Sequence, residues 1–246
     1  MKNIRRISAL LTISLLCALA VYAAIAYNTG GNNGAITVSP ANPFNATITC
    51  ASTELCIATM RNTAAGFSVT SCTDSASNSW TVGPSLSFGT ASVETACYCF
   101  GTCVISAGTL HFNYSGAAGY GIIWYDRFTG ASTSSPFDTS DTATGTSTLT
   151  TGTITPAGTG ELAYGVAACE TTSGTWGPGS GFTTAQATPG SNGLAAYSMY
   201  ELSWSAGTAS ATATGGGGVG CGLLVMLFKA AASGTPVRRR AMVIQQ

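Results

Sequence analysis

Charge is what this sequence has least of. Lys, Arg, Asp and Glu supply 7% of its 246 residues, against roughly 25% in ordinary soluble chains. Histidine occurs once, at His111, and neither C-x2-C nor G-x-S-x-G occurs at all. No stretch keeps an apolar period of 3.6 over three turns, which excludes a helical architecture. The lone histidine stands beside no nucleophile, which argues against Ser-His-Asp hydrolysis. It also leaves a zinc site without its usual His or C-x2-C partners. The E-x-D-x-x-E spacing that sets two carboxylates on one strand of a sandwich glycosidase is missing, and Glu161, Glu170 and Glu201 stand alone in sequence.

What is present begins with an export signal. Lys2, Arg5 and Arg6 precede an apolar run from Ile7 to Tyr22, and Ala24-Ile25-Ala26 follows as a small-residue cleavage pattern. This predicts a secretory signal peptide over 1–26 and a mature chain starting at Tyr27. The run is shorter than the ~20 residues that span a bilayer, so no membrane span is expected after its removal. Cys17 follows Leu16, with Ser14 three residues before it, which does not fit a lipid-anchoring signal. Without the signal, six basic residues face nine acidic ones, a net of −3. Arg238, Arg239 and Arg240 are three of those six, so the body keeps only Arg61, Arg127 and Lys229. A nucleic-acid partner would need a basic face and is not expected.

Eight cysteines remain in the mature chain: Cys50, Cys56, Cys72, Cys97, Cys99, Cys103, Cys169 and Cys221. An even set in an exported chain predicts up to four disulfides. Cys97 and Cys99 are badly placed to bond each other and are expected to take different partners. Cys97–Cys103 across a tight turn and Cys169–Cys221 between two apolar strands are the pairings expected.

Alternation with a period of two starts at Ala46 and recurs along the chain. Leu110, Phe112 and Tyr114 alternate with His111 and Asn113, which puts His111 on the face opposite the aromatics. Strands are expected over Tyr120–Phe128, Thr146–Thr155, Glu161–Cys169, Gly193–Trp204 and Val219–Lys229, with others between Gly/Ser/Thr/Asn/Pro turns. The fold class is therefore all-β: a single antiparallel β-sandwich, jelly-roll or concanavalin-like, of about a dozen strands. The expected divisions are a signal peptide over 1–26, an N-terminal segment over 27–35, one sandwich domain over 36–230 and a tail over 231–246.

Val69–Val82 (VTSCTDSASNSWTV), Ile122–Ser140 (IIWYDRFTGASTSSPFDTS), Thr148–Val166, Gly179–Thr183 and the closing strand ending LFKAA together resemble secreted bacterial β-sandwich proteins of the concanavalin-like or jelly-roll type. The resemblance covers most of residues 65–231 and carries no diagnostic catalytic motif. It implies a surface or extracellular module, with the eight cysteines added to the pattern.

Three candidate sites follow. Asp126, Asp138 and Asp141, with neighbouring Ser and Thr, offer hard oxygen ligands suited to calcium; the plainer alternative is a solvated loop with acidic turn caps. Trp124, Trp176, Tyr197, Tyr200 and Trp204 are candidate stacking platforms for glycans, against the alternative that such a stripe is core. Residues 27–45 and 232–246, with the apolar stretches Ala35-Ile36-Thr37-Val38 and Ala241-Met242-Val243-Ile244, are candidate donors of an extra strand to a neighbouring copy; the alternatives are a strand of the chain's own domain and a tail. The function expected is a non-enzymatic secreted or cell-surface β-sandwich, a structural or adhesive subunit that self-associates because few charges keep its copies apart. The rival readings are a carbohydrate-binding module of surface glycans and a diverged glycoside hydrolase.

Overall fold

Two kinds of strand can be told apart by what their side chains meet. Phe44–Cys50 (FNATITC) buries every second side chain and exposes the rest. Glu54–Asn62, Ser92–Cys99, Glu161–Cys169 and Cys221–Phe228 are buried along their whole length. A strand with one wet face alternates, whereas a strand covered on both faces does not. A two-layer sandwich offers only the first environment. The second requires a sheet with another sheet on each side.

The computed structural model describes residues 24–33, 36–170, 175–191, 194–214 and 220–232, and among them it has strands and no helix. The strands are β1 (Ala26–Asn32), β2 (Thr37–Val38), β3 (Phe44–Cys50), β4 (Glu54–Asn62), β5 (Ser68–Asp74), β6 (Thr81–Phe88), β7 (Ser92–Cys99), β8 (Ile105–Ser115) and β9 (Tyr120–Thr129). They continue as β10 (Phe137–Gly145), β11 (Thr148–Ile154), β12 (Glu161–Cys169), β13 (Thr175–Pro178), β14 (Thr183–Ser191), β15 (Leu194–Trp204), β16 (Gly207–Thr214) and β17 (Cys221–Phe228). Seventeen strands thus replace the dozen expected. Most pairings are between strands distant in sequence, and all are antiparallel.

Four sheets result. Two are large and inner, ordered β1-β9-β4-β7-β6, with β2 also on β9, and β10-β17-β12-β15-β14. Two are small and outer, ordered β3-β8-β5 and β11-β16-β13. Three apolar clusters lie between them. One holds Ile48, Phe112 and Met60 between an outer and an inner sheet. One holds Ile57, Trp124, Phe128, Tyr164 and Phe228 between the two inner sheets. The third holds Leu149, Tyr197 and Leu223 between the other inner and outer sheets. The layers therefore stack outer–inner–inner–outer, which accounts for the fully buried strands.

The two sheet pairs have the same order. Replacing β1, β3, β4, β5, β6, β7, β8 and β9 by β10 through β17 in turn converts one set of sheet orders into the other, with β2 left over. Detail supports the correspondence. β4 and β12 both open with Glu-Leu, and Leu55 and Leu162 sit opposite Phe128 and Phe228. Tyr27 opposite Phe128 and Phe137 opposite Phe228 are each followed by a register shift. The chain is a structural duplication, and the turn between Thr129 and Phe137 joins its halves.

The halves meet through matching aromatic groups. Tyr27 stacks on Tyr200 at 4.7 Å, and Phe128 meets both edge-on at 5.5 and 5.7 Å. In the mirrored set, Phe137 stacks on Tyr98 at 5.8 Å, and Phe228 meets both edge-on at 5.9 and 5.4 Å. Each group joins the first and last strands of one repeat to the sixth strand of the other. The same patch used from both sides is the geometry of an isologous dimer interface, here within one chain.

There are four disulfides: Cys50–Cys56 and Cys72–Cys97 join an outer to an inner sheet, Cys99–Cys103 closes a turn, and Cys169–Cys221 joins two strands of one sheet. Cys169–Cys221 is the expected pair, and its residues are direct partners across two neighbouring strands. The Cys97–Cys103 expectation is wrong. Cys97 points into the cluster beneath β5, where it meets Cys72, while the turn at Gly101 returns Cys103 to Cys99 at the strand's end.

Residues 26–32 form β1, which pairs with β9 of the same chain. Ile25, which cleavage after Ala26 would remove, is 5% exposed and belongs to the central cluster. Most of the predicted signal, the Gly215–Gly218 run and the tail from 233 onward lie outside the described residues.

Candidate functional site

Polar side chains gather at two places: the seam between the inner sheets and one end of the second repeat. Asp126 faces the seam from β9 and is fully buried. Its carboxylate accepts hydrogen bonds from Tyr164 Oη and Ser198 Oγ, both at 2.8 Å, and from Tyr27 Oη at 3.3 Å. Gln186 Nε2 donates to it at 3.5 Å. Gly30 makes room: a Cβ there would lie 2.1 Å from Asp126 Oδ1 and 2.8 Å from Gln186 Nε2. Burial raises the Asp126 pKa, opposed by these donors. Burial, with the Asp126 charge beside it, pushes Tyr27 up to about 12.

Further along the seam, Arg61 is fully buried on β4 opposite Glu94 on β7. Arg61 Nη1 donates to the Cys169 carbonyl at 2.9 Å and Nη2 to Ser92 Oγ at 3.0 Å, and the guanidinium lies 5.0 Å from the Phe88 ring centre. Burial lowers Arg61 to about 10 and pushes Glu94 up to about 8. The register matches Asp126, Arg61 and Glu94 with Met226, Ala168 and Ala196 of the other repeat. These three ionisable groups of the seam thus all come from the first repeat.

The second gathering is open to solvent. Asp138 lies in the register shift of β10, Lys229 follows β17 and Glu161 opens β12, so three adjacent strands bring them together. Lys229 Nζ is 3.5 Å from Asp138 Oδ1. Asp138 Oδ2 accepts the Ala157 N–H at 2.7 Å, and Glu161 Oε1 accepts the Gly158 N–H at 2.8 Å. Glu161 is 1% exposed and its Oε2 has no hydrogen-bond donor. Burial raises its pKa; the Gly158 N–H opposes this and the neighbouring Asp138 adds to it. Two surface hollows flank the group and share Ala157. One of about 270 Å³ is lined by Asp138, Asp141 and Thr153; the other, of about 260 Å³, by Ser132, Thr159, Glu161 and Lys229.

The corresponding corner of the first repeat is built from Glu54, Asn28 and Arg127. Glu54 accepts the Ala51 N–H at 2.8 Å, an Arg127 hydrogen bond at 3.3 Å and one from Asn28 Nδ2. Thr129 occupies the place of Lys229.

The three candidate calcium ligands are not one group. Asp126 is sealed in the seam, and Asp138 and Asp141 lie on a strand rather than in a loop. Asp141 accepts the N–H of Thr142 at 2.8 Å. Among the described residues, the one close trio of metal-ligand types is Cys50, Glu54 and Cys56, and its two sulfurs are joined in a disulfide. Trp124, Tyr197 and Trp204 are core side chains held by hydrogen bonds to Thr188, Gly177 and Ile154. Tyr200 is half-buried under Tyr27, and the Trp176 side chain lies outside the described residues. The aromatic stripe is therefore spread over two clusters rather than one platform. His111 sits on the outer face as expected, 2.7 Å from Asn45 Oδ1.

Sequence reading missed Arg61, Glu94, Tyr164 and Ser198, and it left Glu161 alone. The available signal was the repeated Glu-Leu at Glu54 and Glu161, each closing back onto the N–H three residues earlier. No family model, curated protein or solved structure matches this chain.

Proposed function

We propose that this chain is a secreted structural or adhesive module of an extracellular surface, working by rigidity and surface contact rather than by turnover. The observation that carries this reading is the use made of its few carboxylates. Asp74 binds the N–H groups of Ala76 and Asn78, the Asn78 amide and the Trp80 indole, fixing one turn. Glu170 of the second repeat binds the N–H groups of Thr90 and Ala91 of the first, fixing a hairpin across the seam. Glu54 and Asp126 likewise hold strands together. Such a chain spends its charge on internal cohesion and leaves a surface of hydroxyls and glycine.

Four disulfides fit an oxidising compartment. The order 1-8-3-6 in each inner sheet and 2-7-4 in each outer sheet supports reading each repeat as a jelly roll whose fifth strand has moved beside the sixth. Among the described residues, the small outer sheets have β3, β5, β11 and β13 as their edge strands, and sheet edges with few charges are where strands of another copy add.

The test is the native secreted material. Electron microscopy and size-exclusion chromatography should show concentration-dependent assembly, weakened by a lysine placed on an outward-facing threonine of β11 or β16. A protein that stays monomeric at high concentration and binds defined oligosaccharides on a glycan array would overturn the structural reading in favour of a binding module.

A further inference from the structure

The two repeats present the same corner twice, with different chemistry. In the first, the position after the paired aromatic is Asn28, the third strand opens with Glu54, and the residue after Phe128 is Thr129. In the second, the same three places hold Asp138, Glu161 and Lys229. Only the second corner supplies an amine, and it sets that amine 3.5 Å from a carboxylate. Asp138 is 10% exposed, Lys229 reaches in from the rim with its side chain 41% exposed, and Glu161 lies beneath with one oxygen unpartnered. A permanent surface ion pair needs no third, buried acid.

We propose that Lys229 and Asp138 are joined by an intramolecular amide bond between Lys229 Nζ and Asp138 Cγ, formed after folding with Glu161 carrying the proton. Lysine amines are competent nucleophiles once neutral. Proton transfer within the pair, 3.5 Å apart, converts ammonium and carboxylate into amine and carboxylic acid. The amine lone pair attacks Cγ. Protonated Glu161 gives its proton to the departing hydroxyl and takes one back from the nitrogen, so the N–C bond forms, a C–O bond breaks and one water leaves. Glu161 ends as it began, and no oxidant or cofactor takes part. Burial and the adjacent Asp138 charge favour the protonated form of Glu161, as a group that must also act as an acid requires. Folding supplies the high effective concentration of the reacting groups.

The position gives the bond a mechanical role. Asp138 stands at the start of the first strand of the repeat and Lys229 just past the end of its last strand, and these strands are neighbours. The first repeat has three disulfides and the second has one. The amide closes the second repeat where the first relies on Glu54 and Arg127.

The experiment is mass spectrometry of the secreted, disulfide-bonded chain. The wild type should be lighter, by one water, than its sequence with four disulfides. A reduced tryptic digest should show no cleavage after Lys229, and residues 128–238 should appear as one looped peptide lighter than its sequence by one water. Lys229→Arg keeps the charge without the nucleophile and should have full mass, as should Asp138→Ala. Glu161→Gln should slow conversion by on the order of 10²–10⁴-fold, with circular dichroism checking that each variant is folded. A folded wild type of full mass, cleaved normally after Lys229, would overturn the proposal. So would an undiminished water loss in Lys229→Arg, which would place the dehydration elsewhere.

Discussion

The two repeats share one topology and hold it in different ways. The first uses three disulfides and places Asp126, Arg61 and Glu94 on the seam. The second answers with Met226, Ala168 and Ala196 at the matching places, one disulfide, and hydrogen-bond partners such as Tyr164, Ser198 and the Cys169 carbonyl. A symmetric seam with an aspartate on both sides would bury two like charges in one core. Splitting the roles, with the fully buried ionisable groups from one repeat and neutral partners from the other, avoids that and lets only one docking pair Asp126 and the Arg61 Nη1 atom. Buried polar groups of this kind act best as devices of register. The aromatic groups carry no such demand and remain matched in both halves.

The largest expected effect is on that asymmetry. Arg61→Ala leaves a cavity and strips the seam of its cation, and should cost roughly 3–5 kcal/mol in urea unfolding. A loss below about 1 kcal/mol would mean that the buried cation is not what orients the repeats.

Disulfide removal compares the halves next. Cys169 and Cys221 enclose a sequence separation of 52, and Cys99 and Cys103 one of 4. Under chain-entropy scaling, Cys169→Ser with Cys221→Ser should cost about 4 kcal/mol, and Cys99→Ser with Cys103→Ser about 2. The reverse order would show that the first repeat, not the second, depends on its covalent clamps.

The seam should also make stability fall as pH rises. The Glu94 pKa is about 8 when folded and near its ordinary value of 4.5 when unfolded. Between these values the folded state binds more protons, so unfolding free energy declines with pH across that window and levels off above it. Asp126, whose pKa is also raised, adds in the same direction. Melting temperatures of the wild type and Glu94→Gln from pH 5 to 8.5 should diverge, the variant being flatter and more stable at the alkaline end. Parallel curves would remove Glu94 from the account.

The smallest effects are the matched ones. Tyr200→Leu removes one stacked and one edge-on ring contact, and Tyr98→Leu the same two across the seam plus a stacked contact with Phe100; each should cost about 1 kcal/mol beyond lost area. A difference above about 2 kcal/mol would show that the two aromatic groups are not equivalent. N-terminal sequencing of the protein recovered from its source should also find Ile25 retained, because its side chain belongs to the central cluster with Phe128.

Much of the strand content was legible. Glu161–Cys169 and the end of Gly193–Trp204 match β12 and β15 residue for residue, because a period of two or an unbroken apolar run is a local property. The duplication was not legible, since the halves share topology while their side chains have diverged to little more than Glu-Leu at two strand starts. Asp138 and Asp141 read as loop acids because Ser, Thr and Asp are turn formers by composition. In place they are strand residues, held by pairing with β17.

Local pattern alone sets an all-β chain with eight cysteines to pair and strands that alternate or run apolar. Those features depend on neighbours within a few residues. Folding in three dimensions settled which apolar face meets which sheet, that Cys97 joins Cys72, and that Asp126 is capped by Tyr164 and Ser198. It also brought Asp138, Glu161 and Lys229 to one corner. The physical reason is that strand order and sheet stacking are set by contacts between distant segments, and a residue's chemistry changes with the burial those contacts impose.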